Sequence, residues 1–361
     1  MKSYRIAVIP GDGVGPEVVA EGLKVMKAAQ GLSSDYSLEI HEFPWGSEHY
    51  LETGSMMPSD ALSTLAAFDA IYLGAVGDPR VPDAVTLHGL LLPIRRGFDQ
   101  YACVRPLYLY PGVSSPLVGK KAGSIDMVVV RENTEGEYAD VGGRIYPSSS
   151  QEVAIQAAVF TRQGTERIMR YAFDLARSPG RRKKVTSITK SNAQRFGMVF
   201  WDEVFRSVAR EYPEVATESQ LVDAACMNLV RRPESFDVVV ASNLFGDILT
   251  DLGAIIIGGM GLAPSANLNP HRTHPSMFEP THGSAPDIAG KGLANPLASI
   301  LTAAMMFEFL GEAGSASSIR GAVAEHLGQG GARTPDLGGS ARTAQVGDEV
   351  VARMSRGKGE V

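Results

Sequence analysis

Short apolar runs recur along this chain at residues 5–9, 70–73, 127–130, 184–188 and 237–241, separated by helix-length amphipathic segments. Runs rich in Val, Ile and Ala, with no polar alternation, suit parallel strands covered on both faces. Helical periodicity falls between them, over 16–29, 162–176, 195–212 and 294–310. Parallel neighbours need crossover connections, so this order predicts an α/β fold around a mostly parallel sheet. One stretch breaks the rhythm. Gly142-Gly-Arg-Ile-Tyr-Pro-Ser-Ser-Ser150 precedes an alternating run from Glu152 to Phe160, which fits an antiparallel excursion used for subunit pairing. The basic stretch from Arg177 to Lys184 reads as a solvated loop, and the end from Arg356 to Val361 is expected to fray.

Composition narrows the function. A net charge of −6 gives no electrostatic reason to expect nucleic acid or an anionic membrane as partner. No apolar run approaches the ~20 residues of a membrane span. The basic and apolar start, Met1 to Pro10, meets the charged turn at Asp12 too early for a signal peptide and reads as a first strand. Cys103 and Cys226 are the only cysteines, which fits free thiols in a reducing compartment, so a cytoplasmic location is expected.

The densest chemical signal follows the run ending at Ala241. After the polar corner Ser242-Asn243 a helix is expected, and it carries Asp247 and Asp251 four residues apart. That spacing stacks two carboxylates on one face, about 6 Å apart along the axis. They repel one another unless a cation lies between them, and Mg²⁺ and Mn²⁺ prefer oxygen ligands. A solvated helix face is the plainer reading. The position directly after a buried strand, where open α/β sheets bind ligands, favours the metal.

Gly11-Asp-Gly-Val-Gly-Pro-Glu17 invites a dinucleotide reading but lacks the third small residue of the Rossmann fingerprint. Pro16 and Glu17 make a good helix start, yet Glu17 would repel a pyrophosphate. The segment therefore reads as a tight turn near a cleft. Arg95, Arg105 and Arg131 sit near strand or helix ends and could fork onto the carboxylates of a small dicarboxylate, although surface ion pairing explains most arginines. Tyr138 and Lys190 could serve as acid and base beside a cation, although a core phenol and a snorkelling lysine are the plainer readings. The long loop from Phe278 to Pro296 has no hydrophobic periodicity. In it His282 could meet a base and Asp287 the hydroxyls of a ribose. His271 and His274 have a zinc-like spacing, but no cysteine or further histidine lies near them.

Taken together these motifs resemble the metal-dependent β-decarboxylating dehydrogenases of 2-hydroxy acids, the family of the isocitrate, 3-isopropylmalate, D-malate and tartrate enzymes. The resemblance spans Ile6 to about Asp348. It rests on Ile9 to Glu17, Arg95 with Arg105-Pro106, Arg131 to Tyr138, Asn243 to Asp251, and Glu279 to Asp287, in the family's order. It implies a two-domain fold without a Rossmann fingerprint. Residues 1–100 with 255–361 would form the large cofactor-binding domain, and 101–254 the small substrate domain, which dimerises through an arm near 142–160. Arg95, Arg105 and Arg131 would hold the substrate carboxylates. Asp247 and Asp251 would bind Mg²⁺ or Mn²⁺, joined by Asp223 from the other subunit of a homodimer with shared active sites. Lys190, likewise from the partner, would assist removal of the hydroxyl proton, and Tyr138 would protonate carbon after CO₂ leaves. His282, Gly283, Ser284, Ala285, Asp287, Ile288 and Asn295 would cradle the adenosine end of the cofactor, and the family also allows a monovalent cation. A carboxylate at Asp287 favours a free 2′-hydroxyl, hence NAD.

Within the family, Thr86-Leu-His-Gly-Leu-Leu-Leu-Pro-Ile-Arg95 lacks the serine of the isocitrate enzymes and carries His88 where isopropylmalate enzymes usually have Glu. Asn-Thr-Glu-Gly-Glu before Tyr138 departs from the isopropylmalate pattern as well. These departures resemble the D-malate and tartrate branch, with Thr86 and His88 near the substrate's C3 group. Oxidation, with oxidative decarboxylation, of tartrate and D-malate is the implied activity, D-malate giving pyruvate and CO₂, and 3-isopropylmalate oxidation is the alternative.

Overall fold

The computed structural model describes residues 2–356. The expected fraying beyond Arg356 lies outside the described residues. The strands are β1 (Lys2–Gly11), β2 (Tyr36–Glu42), β3 (Ala70–Ala75), β4 (Ala102–Tyr108), β5 (Asp126–Glu132) and β6 (Gly136–Ile145), followed by β7 (Val153–Val159), β8 (Lys184–Thr189), β9 (Ala216–Leu221), β10 (Val238–Ala241), β11 (Pro264–Leu268) and β12 (Ser276–Pro280). The first helices are α1 (Gly15–Gly31), α2 (Ser47–Thr53), α3 (Ala61–Leu65), α4 (Asp83–Thr86), α5 (Leu92–Gly97) and α6 (Arg162–Ala176). The later ones are α7 (Gly197–Ala209), α8 (Val222–Arg231), α9 (Asn243–Ile256), α10 (Leu297–Leu310), α11 (Ala313–Gly328) and α12 (Thr343–Arg356). The α/β class with mostly parallel pairing is as expected from the alternating runs.

Residues gather into two compact units. The first holds residues 2–100, Arg105–Ile125 and 254–356. Its strands run in the order β2-β1-β3-β12-β11, parallel except for the β11–β12 pair. The central strands β1 and β3 are apolar because both their faces are covered, and the first turns of α10 are buried all round. Ala7, Ile9, Ile71 and Leu73 of the sheet pack with Met56, Leu90 and Ile94, which seats α5 and the turn before it. Gly22 of α1 makes room for Tyr72, whose hydroxyl would lie 1.9 Å from an added Cβ.

The segment 105–125, expected with the second unit, packs with the first. Its contacts explain this: the Ser115 hydroxyl donates to the Ile256 carbonyl, and Gly112 abuts the backbone of Leu327.

The second unit is Tyr101–Val104 with Asp126–Gly253. Its strands run β5-β10-β8-β9, all parallel. Helix α6 is capped by Thr161, whose hydroxyl accepts from Gly164 N, and buries Phe173 against Phe205 of α7 and Tyr212. β6 and β7 form the antiparallel excursion, with an irregular register between Gly136 and Val141. On it Val141, Ile145, Val153 and Ile155 are exposed. The basic stretch is more than a solvated loop. Arg181 pairs with Asp126 and Asp237, and Arg182 N donates to the buried Asp237 carboxylate, closing the sheet end. Among the described residues no helix is long and apolar enough to cross a membrane.

Candidate active site

In the second unit the ends of β5 and β10 deliver polar groups to one place. Arg131 lies one residue before the end of β5, and Asn243 opens α9 one residue after β10. The Arg131 guanidinium is buried, and its Nε and Nη2 donate to Asn243 Oδ1 at 2.9 and 2.7 Å. Its Nη1 pairs with Asp247, one helical turn on. The Tyr138 hydroxyl donates to the other oxygen of the same carboxylate at 3.2 Å, and its ring lies 5.2 Å from the guanidinium carbon. Gly246 lets the helix lie against the Arg131 side chain, since a Cβ there would come within 2.6 Å of it. The α9 N-terminus is fixed by Glu137, which accepts from the Ser242 hydroxyl and from Leu244 N. Arg131, Tyr138 and Asp247, separated in sequence, are thus in direct contact.

Asp251 is exposed on the same helix. Lys190, just after β8, donates to Asp223 of α8 at 2.8 Å. That hydrogen bond holds the Asp223 carboxyl below its ordinary pKa. Among the described residues no three acidic, histidine or cysteine side chains form a metal-sized cluster, so one chain does not bring Asp223 to Asp247 and Asp251. The donor set on α9 is nonetheless all oxygen, as a hard divalent cation requires. Beside it, Glu132 is fully buried, and desolvation pushes its carboxyl up to about 7 despite N–H donors from Thr134 and Glu135.

In the first unit Arg95, buried on α5, donates to Glu279 at 2.6 Å, and Asn267 donates to the same oxygen at 2.8 Å. Arg105 reaches Ser265 Oγ at 3.4 Å. Ser265 and Glu279 face each other across β11 and β12, so both arginines converge on one cross-strand pair. Between α4 and α5 lies a π-turn, Leu87–Leu91. His88 is exposed on it, whereas Thr86 is buried with its hydroxyl donating to the Asp83 carbonyl. Gly89 rests on Met56, whose Cγ would lie 2.6 Å from an added Cβ.

The loop after β12 borders a cavity of about 550 Å³, lined by Val14, His282, Gly283, Ala285, Ile288 and Asn295 among others. His282 Nδ1 contacts the Gly283 carbonyl at 3.0 Å, while its Nε2 is buried without a protein hydrogen-bond partner. Burial pushes the imidazole pKa down, which favours the neutral ring. An apolar wall with one orphaned polar ring atom fits a heteroaromatic base. Ser284 is buried, Asp287 is exposed, and Asn295 caps α10 by accepting from Leu297 N. Asn295 also donates to Asp336 at 2.9 Å.

Reading the sequence did not single out Asn243, Glu137, Glu279 or Asp336 as site groups. Asn243 and Glu279 had a signal, since each stands where a strand ends in a polar motif. Asp336 had none, because only the fold brings it to Asn295.

Residues 5–350 match the family described as isocitrate/isopropylmalate dehydrogenase. A probable tartrate dehydrogenase/decarboxylase of Agrobacterium vitis is 52% identical over 350 residues, covering 97% of each chain. The decarboxylating D-malate dehydrogenase of Escherichia coli K12 is 52% identical over 357 residues, covering 97% of this chain and 98% of that one. Among solved structures, isocitrate dehydrogenase from Methylococcus capsulatus superposes with a TM-score of 0.88 at 37% identity, over 97% of this chain and 99% of the other.

Proposed function

Since the chain belongs to the isocitrate/isopropylmalate dehydrogenase family, whose members are decarboxylating dehydrogenases, we propose that it oxidises D-malate and tartrate with NAD and a divalent cation. D-malate would give pyruvate and CO₂. The observation that carries this reading is the contact of Arg131, Asp247 and Tyr138, which joins a carboxylate-binding cation, a metal-binding carboxylate and an acid in one cluster. Its substrate preference is supported by two relatives of equal identity, one named for tartrate and one for D-malate.

The residues divide the work. Arg95, Arg105 and Arg131 bind the substrate carboxylates through guanidinium forks. Asp247 and Asp251, with Asp223 of a second copy, would hold Mg²⁺ or Mn²⁺ through oxygen. When bound, the cation supplies Lewis acidity to the C2 hydroxyl and NAD supplies the hydride acceptor. Lys190 of the second copy takes part in removing the hydroxyl proton, and Tyr138 returns a proton to C3 after CO₂ has left. The cradle from His282 to Ile288, with Asn295, takes the adenosine end, and the Asp287 carboxylate disfavours a 2′-phosphate. A homodimer is supported by apolar side chains left exposed on the β6–β7 hairpin and by Met227 and Val230 of α8.

Substrate choice is placed on 86–92. A π-turn there supports the assignment, because such turns concentrate at functional sites. His88 is the better candidate to meet a C3 hydroxyl, since the Thr86 hydroxyl already donates to its own helix. The test is NADH formation with Mn²⁺ across D-malate, L-tartrate, meso-tartrate, 3-isopropylmalate and isocitrate. The expected kcat/KM favours D-malate or tartrate over 3-isopropylmalate by at least about tenfold, roughly 1.4 kcal/mol. Equal or better turnover of 3-isopropylmalate would move the chain to that alternative.

A further inference from the structure

The Gly11–Glu17 turn, which fails as a phosphate loop, has another use. Val14 N donates to the Ser284 carbonyl at 2.8 Å, and Gly13 lies so close to that carbonyl that a Cβ would stand 2.0 Å from it. Val14 and Val18 pack on Ala294, with Ala285 and Ile288 against them. One helical turn in, Glu17 Oε1 accepts from Gly290 N, and Glu17 Oε2 is buried without a protein partner. Gly290 has φ +72°, a conformation that glycine adopts without strain. From Ala285 through Lys291 the loop makes consecutive tight turns, Ile288 N to the Ala285 carbonyl and Lys291 N to the Ile288 carbonyl. Its far end is tied to the start of α12, where Thr343 N donates to the Gly292 carbonyl and the Thr343 hydroxyl to the Ala294 carbonyl.

We infer that Glu17 is a positioning residue for dinucleotide binding: it holds the turn that presents Asp287 and Ile288 to the cofactor. The carboxylate sits in the first turn of α1, where the helix N-terminus favours negative charge. From there it grips the loop by a charge-assisted hydrogen bond, roughly twice as strong as a neutral one. This role rests on the dinucleotide reading of the cradle, and it reverses the simpler expectation that Glu17 merely repels phosphate.

Two measurements on the full-length protein test it, using Glu17→Ala and Glu17→Gln. Amide hydrogen exchange without cofactor should be at least about tenfold faster over 283–292 in Glu17→Ala, with the β1 and β3 amides unchanged. Glu17→Gln keeps a neutral acceptor for Gly290 N and should restore part of the protection. Calorimetric titration with NAD should show Kd raised at least about tenfold in Glu17→Ala, while kcat at saturating NAD holds. Unchanged exchange over 283–292 in Glu17→Ala overturns the clamp, as does a Kd equal to that of the wild type. If the wild type itself fails to bind NAD or NADH, the dinucleotide reading falls, and the exchange data alone then decide whether Glu17 holds the loop.

Discussion

Around the cavity beside His282, hydrogen bonds run from the wall to the backbone behind it: Val14 to Ser284, Glu17 to Gly290, Thr343 to Gly292. Around Arg131 they run between the functional groups themselves, with Asp247 taking both Arg131 and Tyr138. The first arrangement leaves the lining free to receive a flat apolar ligand with little rearrangement. The second satisfies one buried charge with a half-buried carboxylate, because a buried guanidinium without an anion would be strongly destabilising. On the proposed reading a dicarboxylate and a cation would enter that cluster by exchange, the substrate taking over part of Arg131 and the cation part of Asp247. On that reading one region would serve as a receptacle and the other as a set of contacts to be replaced.

The largest effect should come from breaking the second region alone. Asp247→Asn removes a charge from both the Arg131 pair and the proposed cation site. Turnover should fall by about 10³-fold or more at ordinary Mn²⁺ concentrations, while NAD binding by calorimetry stays near wild type. Full activity of that variant after EDTA treatment would remove Asp247 from the metal site.

A smaller effect should come from the receptacle. If the cradle takes the adenosine end as proposed, Asp287→Lys with Ile288→Tyr would change the sign of charge at the ribose 2′ position, so NAD should weaken and NADP improve, shifting the kcat/KM ratio by about 10 to 100-fold. A cofactor preference that stays put in steady-state assays would place the adenosine site elsewhere.

How much of this was readable beforehand differs between the two regions for physical reasons. The strand at Val238–Ala241 and the acid spacing on α9 announce themselves, because burial on both faces demands an apolar run and a helix fixes the 247–251 offset. The edge strand β9, Ala-Thr-Glu-Ser-Gln-Leu, is largely exposed and has no such pattern to offer. The pairing of Arg131 with Asp247 joins residues 116 apart, and that of Glu17 with Gly290 joins residues 273 apart. No local periodicity encodes either pairing. Glu17 shows the cost most plainly: helix chemistry put a carboxylate in the first turn, but its partner was visible only once the loop had folded back onto α1. The packing of residues 105–125 with the first unit is hidden from local pattern for the same reason, since Ser115 and Gly112 choose their neighbours through tertiary contacts alone.

The smallest effect concerns stability beside the charged cluster. Burial pushes the Glu132 carboxyl up to about 7 in the folded protein, above its ordinary value of 4.5. The native state therefore binds more protons than the unfolded state between those values. The corresponding stability is present below about 4.5 and is lost as pH rises through about 7. In urea titrations the wild type should lose roughly 1–3 kcal/mol more than Glu132→Gln between pH 5 and pH 8. Parallel losses in the two proteins would show that Glu132 is ionised throughout.

The contrast between the two regions has one sharp consequence. On the proposed reading the receptacle is complete in one chain, whereas the charged cluster is completed by Lys190 and Asp223 of a second copy. The direct measurement is the turnover of a purified mixed dimer, one chain carrying Lys190→Ala and the other Asp247→Asn, each tagged differently. Both homodimers should be inactive. The mixed dimer concentrates both defects in one site and leaves the other intact, so it should recover about half of wild-type turnover with D-malate, NAD and Mn²⁺. A mixed dimer as inactive as its parents would place Lys190 and Asp247 in the same chain's site and contradict the account.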